Sequence, residues 1–180
     1  MDRRVMLTAL AFAGSTLVAP VVAQSAPKND TPQKQSGGDE DKVPLGQKIV
    51  ERFAATLSAQ DLKGFAALFA DDYINHQTSA AVPEPPNVVP AKQNTMALFA
   101  ARLRGLPDLS VKVEAMVVTD KQAAASFLYQ GTHSGVYLGF EPTGRKLRFT
   151  SCDIFTIRDG QIAEHWGMGD IAGVLAQLKG

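Results

Sequence analysis

In the stretch CDIFTIRDGQIAEHWGMGD, residues 152–170, a carboxylate stands in the most apolar part of a strand-like run. Leu147, Phe149, Ser151, Asp153, Phe155 and Ile157 share one face of that run, and Arg148, Thr150, Cys152, Ile154 and Thr156 share the other. Asp153 therefore lies on the apolar face. A carboxylate in such surroundings loses hydration and becomes a stronger base, unless a wet cleft or a cation such as Arg148 accommodates it. Asp159 and Gly160 form a two-residue hairpin turn, so Arg158 is expected opposite Gln161. Counting back places Phe155 opposite Glu164 and Asp153 opposite Trp166, which gathers Asp153, Glu164 and Trp166 on one face. A β-bulge would shift this register by one and exchange Trp166 for His165. Without a bulge His165 falls on the far face, and it ranks lowest among the histidines.

His76, after Asp72-Tyr73-Ile74-Asn75, and His133, in Gly131-Thr132-His133-Ser134-Gly135, are the other acid/base candidates. Imidazole can donate to a carbonyl or orient a carboxylate near neutral pH, and both gain weight only if they face Asp153. Glu164 is read either as part of the site or as a salt-bridge partner at its rim. Tyr73, Phe127, Tyr129, Phe149 and Trp166 could line a pocket for a flat ligand, or simply form core. No histidine pair has metal-site spacing, and no Gly-rich phosphate loop, GxSxG elbow or Cys-His arrangement occurs, so no metal or nucleotide cofactor is expected. Cys152 is the only cysteine, which removes internal disulfides and cysteine metal clusters and makes a small buried residue its simplest role.

Several elements must position these groups. Ile49, Phe53 and Leu57, with Val50, give a first helix an apolar stripe. Asp61 is placed to cap a second helix carrying Leu62, Phe65, Leu68 and Phe69 on one face. Residues 71–77 read as a short extended piece, and the proline-rich stretch that follows reads as loop. A third helix fits Ala91 to Arg104, with Met96, Phe99 and Leu103 on one side. The period then changes, and Val111, Val113, Ala115 and Val117 alternate as a half-buried strand. Strands from Ala123 to His133, Lys146 to Arg158 and Gln161 to Met168 follow, and Asp170 can cap a closing helix. Helices first and antiparallel strands afterwards imply an α+β domain whose sheet curls over its helices and leaves a hollow between the layers.

The N-terminus has a different character. Two arginines precede an apolar run from Val5 to Ala23, with small residues spaced for a signal peptidase, so residues 1–23 read as an export signal with a loose twin-arginine resemblance. Residues 24–43 read as a solvated linker, since no Val, Leu, Ile or aromatic residue occurs from Gln24 to Lys42. The folded domain is expected over 44–180, in the periplasm or outside the cell, free of the membrane once the signal is cleaved. Eighteen basic residues balance eighteen acidic ones, which leaves no net field to recruit nucleic acid.

The segments LFADDYINH, LPDL, GTHSGVYLGFEPTGR and DIFTIRDGQIAEHWGMGDIAGVLAQL together resemble the SnoaL-like polyketide (ester) cyclases of the NTF2-like superfamily, from Leu45 onward. The resemblance implies a cone-shaped α+β barrel that needs no cofactor and closes a ring by intramolecular aldol condensation. It implies that Asp153 is the general acid/base, that His76 and His133 stand near the pocket, and that two copies pair through the outer sheet face. The substrate would be a small apolar carbonyl compound. Two departures bear on that reading: the chain carries an export signal, and the loop before the third helix lacks the family's glycine-bearing segment. A binding protein that holds an apolar ligand without turnover is the alternative, and a structural dimerisation domain a third.

Overall fold

The computed structural model describes residues 42–77 and 89–180. The expected export signal and nearly all of the linker, as well as most of the proline-rich loop, lie outside the described residues. The elements are α1 (Leu45–Ser58), α2 (Leu62–Ala66), β1 (Phe69–Asn75), α3 (Ala91–Gly105), β2 (Ser110–Val118), β3 (Gln122–Thr132), β4 (Lys146–Arg158), β5 (Gln161–Gly169) and α4 (Ile171–Lys179). Five strands form one curved sheet in the order β1-β5-β4-β3-β2. Every neighbouring pair is antiparallel except β1 and β5, which run parallel, so the sheet is mixed at one edge.

The first helix forms where the apolar stripe requires it, and Ile49, Val50, Phe53 and Leu57 are all buried against the inner face of the sheet. Phe53 is the hub of the core. Its ring centroid lies 5.0 Å from Phe65, 5.8 Å from Phe99, 4.9 Å from Phe127 and 5.5 Å from Phe155, which ties three helices to β3 and β4. The second helix is shorter than its apolar spacing suggests. Asp61 caps it by accepting from the Gly64 amide, but it ends at Ala66, and Leu68 and Phe69 leave the helical path. The sheet edge wins them: the Ile162 amide donates to the Leu68 carbonyl, and Phe69 pairs with Ile162.

Two bulges correct the strand arithmetic. In β2, Val113 pairs with Phe127 and Ala115 with Ser126, so Glu114 is the extra residue and the second half of the strand changes face. Val111 is buried, whereas Val117 is 77% exposed, against the single alternation expected along the strand. In β5, Ile162 pairs with Ile157 and Glu164 with Thr156, which leaves Ala163 as the extra residue. The Asp159-Gly160 turn itself is as expected, with both residues at positive φ (52° and 74°) and Arg158 opposite Gln161.

The last helix starts at Asp170, which accepts from the Gly173 amide, and it buries Val174 and Leu178. Gln177 fixes it to β4 with its side-chain amide, accepting from the Arg148 amide at 2.8 Å and donating to the Arg148 carbonyl at 2.9 Å. The Arg148 side chain is exposed, so it is not the partner of Asp153.

Candidate functional site

The β5 bulge decides which residues meet Asp153. Phe155 stands opposite His165 and Asp153 opposite Gly167, while Trp166 faces outward opposite Ile154. The expected cluster of Asp153 with Glu164 and Trp166 is therefore not formed. His165, ranked lowest on an unbulged register, lies on the inner face beside Asp153. Its Nε2–H donates to Asp153 Oδ1 at 2.7 Å, and both side chains are only 9% exposed.

The pair belongs to a longer buried chain. Ser151 Oγ donates to Asp153 Oδ2 at 2.5 Å. Tyr73 Oη lies 3.1 Å from His165 Nδ1; with Nε2 protonated toward Asp153, Nδ1 of the neutral ring accepts from the Tyr73 hydroxyl. Burial pushes the Tyr73 phenol up to about 12, with a smaller contribution in the same direction from the Asp153 charge, so it stays protonated through the neutral range. Thr95 Oγ1 lies on the Tyr73 side of this chain, and it is buried without a partner of good hydrogen-bond geometry among the described residues.

Farther along the same interior, Tyr129 and Phe149 stack with centroids 5.0 Å apart and planes at 1°. Burial also pushes the Tyr129 phenol up to about 12, against an opposing pull from Arg102. The Arg102 guanidinium lies over these rings, and its Nε–H donates to Tyr137 Oη at 3.2 Å. Burial works against its charge, but the phenols of Tyr137 and Tyr129 and the Asp153 carboxylate outweigh that cost and hold its pKa above the ordinary arginine value.

The other expected site residues are dispersed. Tyr73, Phe127, Tyr129 and Phe149 all point inward and are buried in the core. His76 is on the outside: its Nε2 pairs with Glu164 Oε2 at 2.8 Å, and its ring stacks on Trp166 at 4.2 Å and 7°. These three residues form a cluster of their own at the outer face. His133 is fully buried just past the end of β3 remote from Ala125, the partner of Asp153. Its Nδ1 pairs with Thr143 Oγ1 at 2.9 Å, and its Nε2 has no partner among the described residues. Cys152 is exposed on the outer face, not buried, because it alternates with Asp153. Among the described residues no group of three or more His, Cys, Asp or Glu side chains is placed to hold a metal ion.

Sequence reasoning passed over Arg102, Thr95 and Ser151. The signal for the first two was present: Thr95, Phe99 and Arg102 follow helical spacing, and all three are buried on the face of α3 that carries Leu103. Ser151 was placed on the right face without a role.

A family model for the SnoaL-like polyketide cyclases matches residues 47–178. IdmH from Streptomyces antibioticus, a proposed polyketide cyclase, shares 27% identity with a TM-score of 0.64 over 75% of this chain and 99% of its own. TsrD from Streptomyces laurentii shares 26%, with a TM-score of 0.63 over 74% of this chain and 94% of its own. AclR from Streptomyces galilaeus, a proposed hydroxylase, has a TM-score of 0.64 at 21% identity over 74% and 80% of the two chains, which speaks to fold alone. Comparison with curated protein sequences gives no match. The family match spans most of the chain, and its neighbours share the curved five-stranded sheet and helices of the NTF2-like cone: this chain belongs to the SnoaL-like polyketide cyclase family.

Proposed function

We propose that the chain is an exported, cofactor-free enzyme that closes or isomerises a small apolar carbonyl compound through the buried Asp153 and His165 pair. The observation that carries this reading is the 2.7 Å contact between the two on the inner face, extended by Tyr73 to a residue that remains a proton donor at neutral pH. The Asp153 carboxylate takes a proton from a carbon beside a carbonyl, and the electron pair of the broken C–H bond moves into an enolate. The enolate carbon attacks a second carbonyl of the same molecule, a C–C bond forms, and the alkoxide oxygen takes the proton back from the acid form of the pair. No net oxidation occurs, and the product is an isomer of the substrate. An apolar interior contributes by holding the two reacting carbons together and excluding water.

Solvent exchange tests this without knowledge of the natural substrate. In deuterium oxide, the wild-type chain is expected to speed exchange of hydrogens next to the carbonyls of a flexible diketone, followed by NMR. Asp153→Asn should lower that rate by about 10²-fold or more, the usual contribution of a positioned acid/base. Equal rates for wild type and Asp153→Asn would overturn the assignment.

One observation favours the binding reading: both oxygens of Asp153 already accept hydrogen bonds from within the protein, from His165 and Ser151. A pure binder would show no exchange in the wild type and would keep its ligand affinity in Asp153→Asn. Export rests on the N-terminal segment, and intact mass of the mature chain should show removal of residues 1–23. The outer sheet face is proposed to pair with a second copy.

A further inference from the structure

Arg102 lies on the inward face of α3 and is 8% exposed. Its guanidinium carbon is 4.8 Å from the centroid of Phe99, 5.0 Å from Tyr129 and 5.4 Å from Phe149, so three aromatic rings hold the group in the interior. Among the described residues only Nε is engaged, by Tyr137 Oη. Among the described residues no carboxylate lies within ion-pair distance of it. Asp153 attracts it from farther away, but the Asp153 oxygens are committed to His165 and Ser151. Its terminal N–H groups have no hydrogen-bond partner among the described residues, yet they are not sealed off as Thr95 Oγ1 and His133 Nε2 are, so the fork is open to an anion, which would complete a largely buried cation.

We infer that Arg102 is a carboxylate-binding subsite of the interior, so that the ligand carries an acid at one end and a carbonyl within reach of Asp153 and His165. The planar fork of a guanidinium matches the two oxygens of a carboxylate, whereas a neutral carbonyl or ester would satisfy it only in part. The flat stack of Tyr129 and Phe149 beneath the guanidinium favours a planar body attached to that acid. The inference rests on the reading of the interior as a substrate site, and it narrows the substrate class to carboxylate-bearing carbonyl compounds.

The test uses the whole chain with benzoate as an acidic probe and methyl benzoate as its neutral counterpart, followed by calorimetry and by the arginine side-chain NMR signals. Benzoate is expected to bind at least tenfold more tightly than methyl benzoate and to shift the Arg102 guanidinium resonances. Arg102→Met should weaken benzoate binding at least tenfold, and Arg102→Lys, which keeps the charge and more of the fold, should fall between. Equal binding of the two probes, unchanged benzoate affinity in Arg102→Met or Arg102→Lys, or no binding by the wild type would each overturn the subsite. Should Arg102→Met fail to fold, the wild-type resonance shift and Arg102→Lys still decide. Asp153→Asn separates this inference from the acid/base reading: it should retain benzoate binding even as proton exchange is lost.

Discussion

Gly167 is the residue that makes room for the buried pair. A Cβ at this position would fall 2.5 Å from Asp153 Oδ1 and 2.6 Å from His165 Nε2, closer than real side chains approach. Gly167→Ala should therefore push the carboxylate and the imidazole apart while leaving the strands paired. The expected result is a loss of stability of about 1–3 kcal/mol, the cost of leaving a buried polar group unsatisfied, together with loss of the low-field His165 N–H resonance. A variant that keeps this resonance would show that the pair tolerates the methyl. The two raised phenols make a second prediction at this scale. Tyr73 and Tyr129 titrate near 12 when folded and near 10 when unfolded, so the folded state holds their protons more tightly across that interval. The stability they contribute is complete below pH 10 and is lost as pH rises through 12, on the order of 2–3 kcal/mol for each. Denaturant midpoints measured from pH 9 to 12 should fall accordingly, with a shallower fall in Tyr73→Phe. Asp153 was legible at the residue scale because an acid on an apolar strand face is conspicuous. Arg102 was not, because a long side chain on a helix is usually taken to reach water.

The elements explain why the site was half legible. Helix α1, the Asp159-Gly160 turn and the Asp61 and Asp170 caps follow from local rules, and each stands where spacing and turn chemistry place it. The bulges at Glu114 and Ala163 do not, because an extra residue is inserted with no change of residue type to mark it. One such residue exchanged Trp166 for His165 and so changed the chemistry assigned to the site. The parallel pairing of β1 with β5 is likewise a non-local event, fixed by contacts between Leu68, Phe69 and Ile162. The packing that fixes these elements converges on Phe53, whose ring meets four others. Phe53→Ala should cost about 3–5 kcal/mol, the usual range for a fully buried aromatic, measured by urea unfolding. Phe53→Leu should recover part of that loss. A change below 1 kcal/mol would mean that the helices and sheet are held together elsewhere.

At the scale of the whole molecule, the outer face of the sheet exposes several large apolar side chains. Met168 is 79% and Val117 77% exposed, and Ile74, Ile154 and Trp166 are exposed with them. Val117, Ile154, Trp166 and Met168 border a groove of about 630 Å³ that His76 and Gln77 also line and that reaches Asp153 and Gly167 between the strands. A single copy rarely leaves so many large apolar side chains together in water, and a two-fold pairing would bury this face against itself. Charge does not oppose the contact, because the chain is neutral overall. The domain over residues 44–180 should therefore sediment as a dimer at micromolar concentration, and dilution should red-shift the emission of Trp166, the only tryptophan in the chain. Met168→Glu would place a charge in the middle of the contact and should shift the equilibrium to monomer by tenfold or more, without altering the far-ultraviolet spectrum or the His165 resonance. Sedimentation of the wild type as a monomer at all concentrations would reject the second copy as the occupant of this face. A monomer that retained proton exchange would then place the acid/base chemistry within one cone, independent of assembly, as expected when Asp153, His165 and Tyr73 all come from the same chain.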